Sequence, residues 1–158
     1  MEITVYTDGS ALGNPGPGGY GIFMQTGKYH KEFSDGFRKT TNNRMELLSV
    51  IKALEVIKKP GANVTIYSDS SYVVNAVEKG WLANWQKKGF KKKKNVDLWK
   101  RFLEIYPKHN VKLVWVKGHA GNPLNERVDR LAVAAAEAKP SQVDQGYEDS
   151  LKNPDLFN

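Results

Sequence analysis

The chain contains no cysteine, which excludes disulfides, thiolate zinc sites and iron–sulfur clusters and leaves oxygen or imidazole as the only metal donors. Histidine is scarce too, with three residues at 30, 109 and 119. No run approaches the roughly 18 consecutive apolar residues of a membrane span. The opening Met-Glu-Ile-Thr-Val-Tyr has neither the basic nor the apolar region of a signal peptide. A soluble, cytoplasmic, monomeric protein with no membrane partner is expected. Acidic charge is also in short supply, because the formal net charge is +7. Residues 140–158 carry Asp144, Glu148, Asp149 and Asp155 against Lys152 alone, which leaves +10 on residues 1–139. A body so basic suits a polyanion binder.

What is present is enough for one core, since 158 residues make a single compact domain. Ile3, Val5 and Thr7 alternate with Thr4, Tyr6 and Asp8, the period of a strand with two distinct faces. The Gly-Pro-rich stretch 13–19 reads as a turn; it lacks the lysine and following helix of a P-loop. Residues 20–25 and 29–37 read as strands of an antiparallel meander. From Thr41 the apolar residues recur at three and four, predicting a helix that Pro60-Gly61 ends. A strand over 63–69, a short helix from Ser70 or Ser71 to Glu78, a helix over 96–106, a strand over 111–116 and a helix over 124–138 complete the order βββαβααβα. Helical crossovers before the fourth and fifth strands demand parallel, right-handed connections. The predicted α/β fold is a five-stranded mixed sheet of order 3-2-1-4-5, with strands 1–3 antiparallel and 4 and 5 parallel to 1. Residues 140–158 have weak periodicity and two prolines, and are expected to form a loose acidic tail.

In that sheet order strands one and four are neighbours, so the phrases Val-Tyr-Thr-Asp and Ile-Tyr-Ser-Asp bring Asp8 and Asp69 to one edge. Glu46, in the first turn of the helix before strand four, and Asp129, early in the last helix, are placed to join them. Each acid alone has an ordinary explanation, as a strand-end turn residue or a charge near a helix N-terminus. Together they repel, by roughly 4 kcal/mol per pair at about 4 Å and an effective dielectric near 20. Such a group calls for cations, and hard oxygen donors suit Mg²⁺ or Mn²⁺. Two such ions can serve phosphodiester hydrolysis. His119, in the loop Lys117-Gly118-His119-Ala120-Gly121, is either a proton shuttle or an ordinary loop histidine.

Tyr-Thr-Asp-Gly-Ser, Thr-Thr-Asn-Asn-Arg-Met-Glu-Leu, Tyr-Ser-Asp-Ser, Asn-Val-Asp-Leu-Trp, Trp-Val-Lys-Gly-His-Ala-Gly and Asn-Glu-Arg-Val-Asp together resemble type I bacterial ribonuclease H, in the family's order from residue 3 to about 138. The resemblance implies a catalytic domain over 1–139 with the ribonuclease H-like fold. It implies an endonuclease that cuts the RNA strand of RNA–DNA hybrids with two Mg²⁺ ions, leaving 5′-phosphate and 3′-hydroxyl ends. Asp8, Glu46, Asp69 and Asp129 match the family's metal-binding acids, and His119 its mobile histidine. Asn14, Asn42 and Asn43 match residues that contact the RNA strand's minor-groove face, where 2′-hydroxyls distinguish RNA from DNA. Thr41 and Asn95 resemble a pocket for a DNA phosphate, with Lys39 where an arginine is more usual, and Ser71 replaces a longer polar side chain. Residues 81–94 resemble a basic handle that grips the hybrid, with Trp81, Trp85, Lys87, Lys88, Lys91 and Lys94 as its contacts and Phe90 interleaved among the lysines. Gly9 is read as leaving room for substrate backbone. A non-catalytic hybrid-binding module and a junction resolvase on the same fold are the competing readings.

Overall fold

A computed structural model describes residues 1–118 and 121–152. Five strands form one sheet: β1 Glu2–Ala11, β2 Gly16–Thr26, β3 Tyr29–Thr40, β4 Asn63–Ser68 and β5 Asn110–Trp115. Their order is β3-β2-β1-β4-β5, with β1–β2 and β2–β3 antiparallel and β1–β4 and β4–β5 parallel, as predicted. Among the described residues six α-helices accompany them: α1 Asn42–Glu55, α2 Ser71–Glu78, α3 Trp81–Lys87, α4 Val96–Ile105, α5 Pro123–Glu137 and α6 Gln145–Lys152. Among the described residues, no helix is long and apolar enough to cross a membrane.

The two faces of the sheet are covered differently. Ile3, Val5, Ile22, Val64, Ile66 and Leu113 share one face and pack against Leu47, Val50, Ile51 and Leu54 of α1, with Trp99 and Phe102 of α4 completing the core. Each such side chain contributes roughly 1.5–3 kcal/mol on burial. On the other face α5 lies directly on the backbone of β2. A methyl group on Gly19 or Gly21 would run into the main chain of α5 at Ala132 or Val128. Those glycines, read from sequence as part of a turn or an ordinary strand, are where a helix approaches a sheet closely. The turn is accordingly shorter than the 13–19 stretch, because β2 already begins at Gly16.

Two expectations need correction. The order βββαβααβα omits α3 and α6, about two turns each, which lie in stretches read as a basic handle and a loose tail. The segment after Lys139 is not a loose tail as far as Lys152. The Arg38 N–H donates to the Gln142 carbonyl at the edge of β3, and Arg38 pairs with Glu148 of α6. Asp144 is buried and accepts from Thr40 Oγ1 at 2.7 Å and from Arg44 Nε and Nη2 at 2.8 and 2.9 Å. Arg44 also gives Asp97 two hydrogen bonds, at 2.8 and 2.7 Å, and reaches Asn95 Oδ1 at 3.4 Å. All five guanidinium hydrogens therefore have partners. Burial opposes the Asp97 carboxylate, but the hydrogen bonds and charge of Arg44 outweigh it and hold its pKa below the ordinary value.

Removing one partner from a buried ion pair strands the other. Asp144→Ala is therefore expected to destabilise the fold by roughly 3 kcal/mol, read as a lower urea midpoint at unchanged m-value. A shift below about 0.5 kcal/mol would return the segment to an unattached tail.

Candidate active site

The parallel β1–β4 ladder ends at Thr7 opposite Ser68, so Asp8 and Asp69 are the next residues along the two neighbouring strands. Two positions earlier, Tyr6 and Tyr67 stack with ring centroids 4.8 Å apart, marking the phase both aspartates continue. β4 stops there, while β1 runs on to Ala11 against β2 and sets Asp8 opposite Gly21. Paired residues share a face, so Asp8 lies on the side covered by α5, which brings Asp129.

Glu46 arrives from the other side. Thr41 caps α1 by accepting the Arg44 N–H at 3.2 Å, and Glu46 begins the second turn rather than lying in the first. Gly9 lets it in: a methyl there would collide with the backbone of Met45 and Glu46, so the space belongs to α1 and not to substrate. The Gly9 N–H donates to Glu46 Oε1 and to Asp8 Oδ1. Asp8, Glu46 and Asp69 each offer an oxygen within 4.8 Å of the others. Asp129 stands outside that set but lines the same cleft of about 370 Å³, against Asp8.

The electrostatics are those of carboxylates packed past their tolerance for charge. Asp8 and Glu46 are 5% and 7% exposed. Burial above all, then the charges of Asp69 and the contact with Asp129, push Asp8 up to about 7, against the opposing effect of Glu46 and the Gly9 N–H. Burial and the adjoining Asp8 drive Glu46 well above its ordinary value. Two acids in this state share a proton unless a cation replaces it. An all-carboxylate set at this spacing fits a hard divalent ion, and Asp8, Glu46 and Asp69 are the residues to hold it.

The same cleft gathers several of the anticipated substrate residues: Asn42, Asn43 and Ser71 line it with the acids. Asn14 joins through Asn42, whose N–H donates to Asn14 Oδ1 at 3.0 Å, while Asn42 Oδ1 accepts from the Ala11 N–H at 2.6 Å. Both amide oxygens are thus occupied in holding the loop, and the NH₂ groups are left as donors. Thr41 and Asn95 meet through Arg44, which bonds both. Lys39 is exposed on β3. His119 lies outside the described residues.

The handle is more structural than its composition suggests. Phe90 is buried and belongs to the core rather than to a stacking surface. Trp85 packs edge-on against Trp99, with centroids 5.8 Å apart, and carries Lys93 over its ring. Trp81 is 44% exposed, and Lys87, Lys88, Lys91 and Lys94 are exposed. Two further residues escaped sequence reasoning. Trp115 donates its indole N–H to the Asp69 carbonyl at 3.1 Å, fixing the backbone of that acid. Tyr72 lines the cleft beside Ser71. Neither carries a sequence signal, because a tryptophan ending a strand and a tyrosine in a short helix both read as packing.

Folded Asp8 keeps its proton up to pH about 7, whereas an unfolded aspartate ionises near pH ~4. The folded state binds more protons in that window, so stability falls as pH rises from about 4 to 7. In metal-free protein Asp8→Asn is expected to raise Tm by roughly 3–6 °C at pH 7 and to change it little near pH 4. Calorimetry with a chelator reads both; equal shifts at the two pH values would mean that Asp8 is not strained by its charge.

Comparison with known proteins agrees with this geometry. The RNase H family model matches residues 1–137. A protein of Desulforamulus reducens called ribonuclease H is 58% identical over 140 residues, covering 85% of this chain and 87% of that protein. Among solved structures, LC9-RNase H1, described as a type 1 RNase H with the type 2 active-site motif, superposes with a TM-score of 0.80 at 34% identity, covering 94% of this chain and 79% of its own. LC11-RNase H1, solved in complex with an RNA/DNA hybrid, gives a TM-score of 0.61 at 27% identity, over 86% and 97% of the two chains.

Proposed function

Because the chain belongs to the ribonuclease H family, we propose that it hydrolyses the RNA strand of RNA–DNA hybrids endonucleolytically with two divalent cations, leaving 5′-phosphate and 3′-hydroxyl ends. The observation that carries this reading is the convergence of Asp8, Glu46 and Asp69 from β1, α1 and β4. Hard divalent ions held there would supply Lewis acidity and raise the nucleophilicity of a water near neutral pH by lowering its pKa.

The chain's own residues do the rest. Asp8, Glu46 and Asp69 hold the ions, Mg²⁺ or Mn²⁺, and Asp129 beside Asp8 completes the negative wall. The Gly9 N–H and the Trp115 contact to the Asp69 carbonyl keep two of these acids in place. The NH₂ groups of Asn14, Asn42 and the exposed Asn43 read the minor-groove side, where the RNA strand presents 2′-hydroxyls. Ser71 adds a hydroxyl at the same cleft. Thr41, Asn95 and Lys39 seat a phosphate of the DNA strand. His119 moves a proton to the departing 3′-oxygen. Trp81, Trp85 and the lysines at 87, 88, 91 and 94 grip the hybrid beyond the cleft, working as one monomer.

A hybrid labelled separately on each strand tests the reaction. Cleavage of RNA alone, dependent on Mg²⁺ or Mn²⁺, is expected; cleavage of DNA junctions instead, or of nothing, defeats the proposal. Asp8→Asn and Asp69→Asn are each expected to lower turnover at least about a hundredfold while the protein stays folded and binds hybrid. A mutant that unfolds makes the acid structural.

Replacing Lys91 to Lys94 with alanine removes four exposed cations. The slope of log affinity against log salt should flatten by up to about 3–4 units, with kcat little changed. An unaltered slope would assign the run to solvation.

A further inference from the structure

Asp69 is held differently from the acids it meets. Asp8 and Glu46 are buried and share the Gly9 N–H, whereas Asp69 is half-buried and, among the described residues, no group donates to its carboxylate. What fixes it is its main chain. The Ser70 N–H donates to Ser68 Oγ at 3.1 Å, closing the turn around Asp69, and Ser70 Oγ caps α2 by accepting the Val73 N–H at 3.2 Å. From β5, the Val116 N–H donates to the Ser68 carbonyl at 2.9 Å and the Trp115 indole N–H to the Asp69 carbonyl at 3.1 Å.

β5 is in turn tied to the helix that leaves Asp69. It is an edge strand, paired with β4 alone, so the N–H groups on its outer side have no strand to meet. The Leu113 N–H donates instead to Glu78 Oε1, in the last turn of α2, at 2.9 Å. The connection therefore runs from Asp69 through α2 to Glu78, crosses to Leu113, and returns from Trp115, two residues on, to Asp69. It is a closed frame with one acid of the cleft at its corner. Trp115 is 51% exposed and stands outside the side chains packed on the core, so its N–H, rather than its ring, has the defined partner. Gly118 completes the corner. A methyl group there would stand 3.0 Å from Asp69 Oδ2 and press on the carboxylate that meets Asp8 and Glu46.

We infer that Trp115 and Glu78 are positioning residues of the cation site, closing a frame that sets the Asp69 carboxylate for a divalent ion. Neither lines the cleft, so both act through Asp69. The inference rests on the reading of Asp8, Glu46 and Asp69 as metal ligands. It assigns the frame to metal affinity and gives it no part in holding the hybrid.

The direct readout is Mn²⁺ binding to the full chain, followed by titration calorimetry without substrate. Replacing Trp115 by 3-benzothienylalanine keeps the ring and exchanges the N–H for sulfur. Mn²⁺ should then bind roughly fivefold more weakly, less than the roughly 10–100-fold loss when a partner of the ligating group itself is removed, because this contact is to the carbonyl. Glu78→Ala, which frees the Leu113 N–H, should weaken binding by about threefold, and Glu78→Gln, which keeps an acceptor oxygen, should stay within about 1.5-fold of the unaltered protein. In the cleavage assay the losses should appear as a higher Mn²⁺ requirement, with kcat and the KM for hybrid at saturating Mn²⁺ within about twofold of their original values. Unchanged Mn²⁺ affinity in the benzothienyl variant overturns the inference, as does a Glu78→Gln variant as weak as Glu78→Ala. A cleavage defect that excess Mn²⁺ does not restore overturns it too. If the benzothienyl protein fails to fold, the Glu78 pair decides alone. Mn²⁺ binding with these dependences in a protein that cuts no hybrid supports the inference and defeats the proposed function. A protein that binds no Mn²⁺ defeats the reading of the three acids, and the inference with it.

Discussion

Three carboxylates crowded into one cleft repel one another and lose hydration, and the surrounding structure is built to hold them there anyway. No local preference of the chain produces that arrangement. It depends on the β1–β4 register, which a one-residue slip would destroy by turning Asp8 or Asp69 to the opposite face. The register in turn is set by the core. Ile3 and Val5 pair with Val64 and Ile66 and are buried against α1, so the apolar face fixes the phase of the aspartates, each three residues beyond the Val5–Ile66 pair. The energy that holds the acids together is hydrophobic and lies elsewhere in the molecule.

The same division recurs behind α1. Glu46 and the capping residue Thr41 are carried by a helix whose first turn is anchored through Arg44, and Arg44 is satisfied only because Asp97 and Asp144 arrive from α4 and from the segment after α5. A negatively charged cleft on one side of the helix is matched by a fully hydrogen-bonded cation on the other. Because Arg44 also touches Asn95, and Asn95 touches Tyr72, the network extends from the C-terminal segment to the rim of the cleft. Buried charge of this kind is weak evidence for stability as such. Its value here is orientation, since every donor in the fork points at a fixed acceptor.

Periodicity made the sheet legible. Alternation in β1 and β4, helical spacing in α1 and α5 and the crossovers between them were enough for strand order and for the meeting of Asp8 with Asp69, and the motif order was enough for the family. What stayed hidden was whatever depends on contact rather than pattern. Phe90 among lysines reads as a stacking residue until it is seen to be buried in the same core cluster as Leu82 and Trp99. Gly19 and Gly21 read as flexible, yet they are smooth surface for α5. The segment at 140–152 offers no apolar rhythm because polar groups hold it, and an aspartate such as Asp144 looks the same in sequence whether it is solvated or buried against an arginine. Asp129 was anticipated at the cleft, and the structure brings it there, but at a greater remove than the other three acids.

The excess positive charge follows from the same constraint. A site rich in carboxylates repels the phosphates it must receive, and its long-range field extends about 8–10 Å before salt screens it. Cations within that distance of the acids would pair with them and weaken the site, so the basic residues must attract the substrate from outside it. The exposed lysines at 87, 88 and 91–94 do not line the cleft, because they belong to a segment fastened by Leu82, Trp85 and Phe90 to the core. Neutral donors, the amides of Asn42 and Asn43 and the hydroxyl of Ser71, line the cleft beside the acids. Such groups can bind anionic or hydroxyl oxygens without neutralising the carboxylates. On the proposed reading, charge attracts the polyanion at a distance, dipoles align it at the rim, and the acids at the centre stay available for cations.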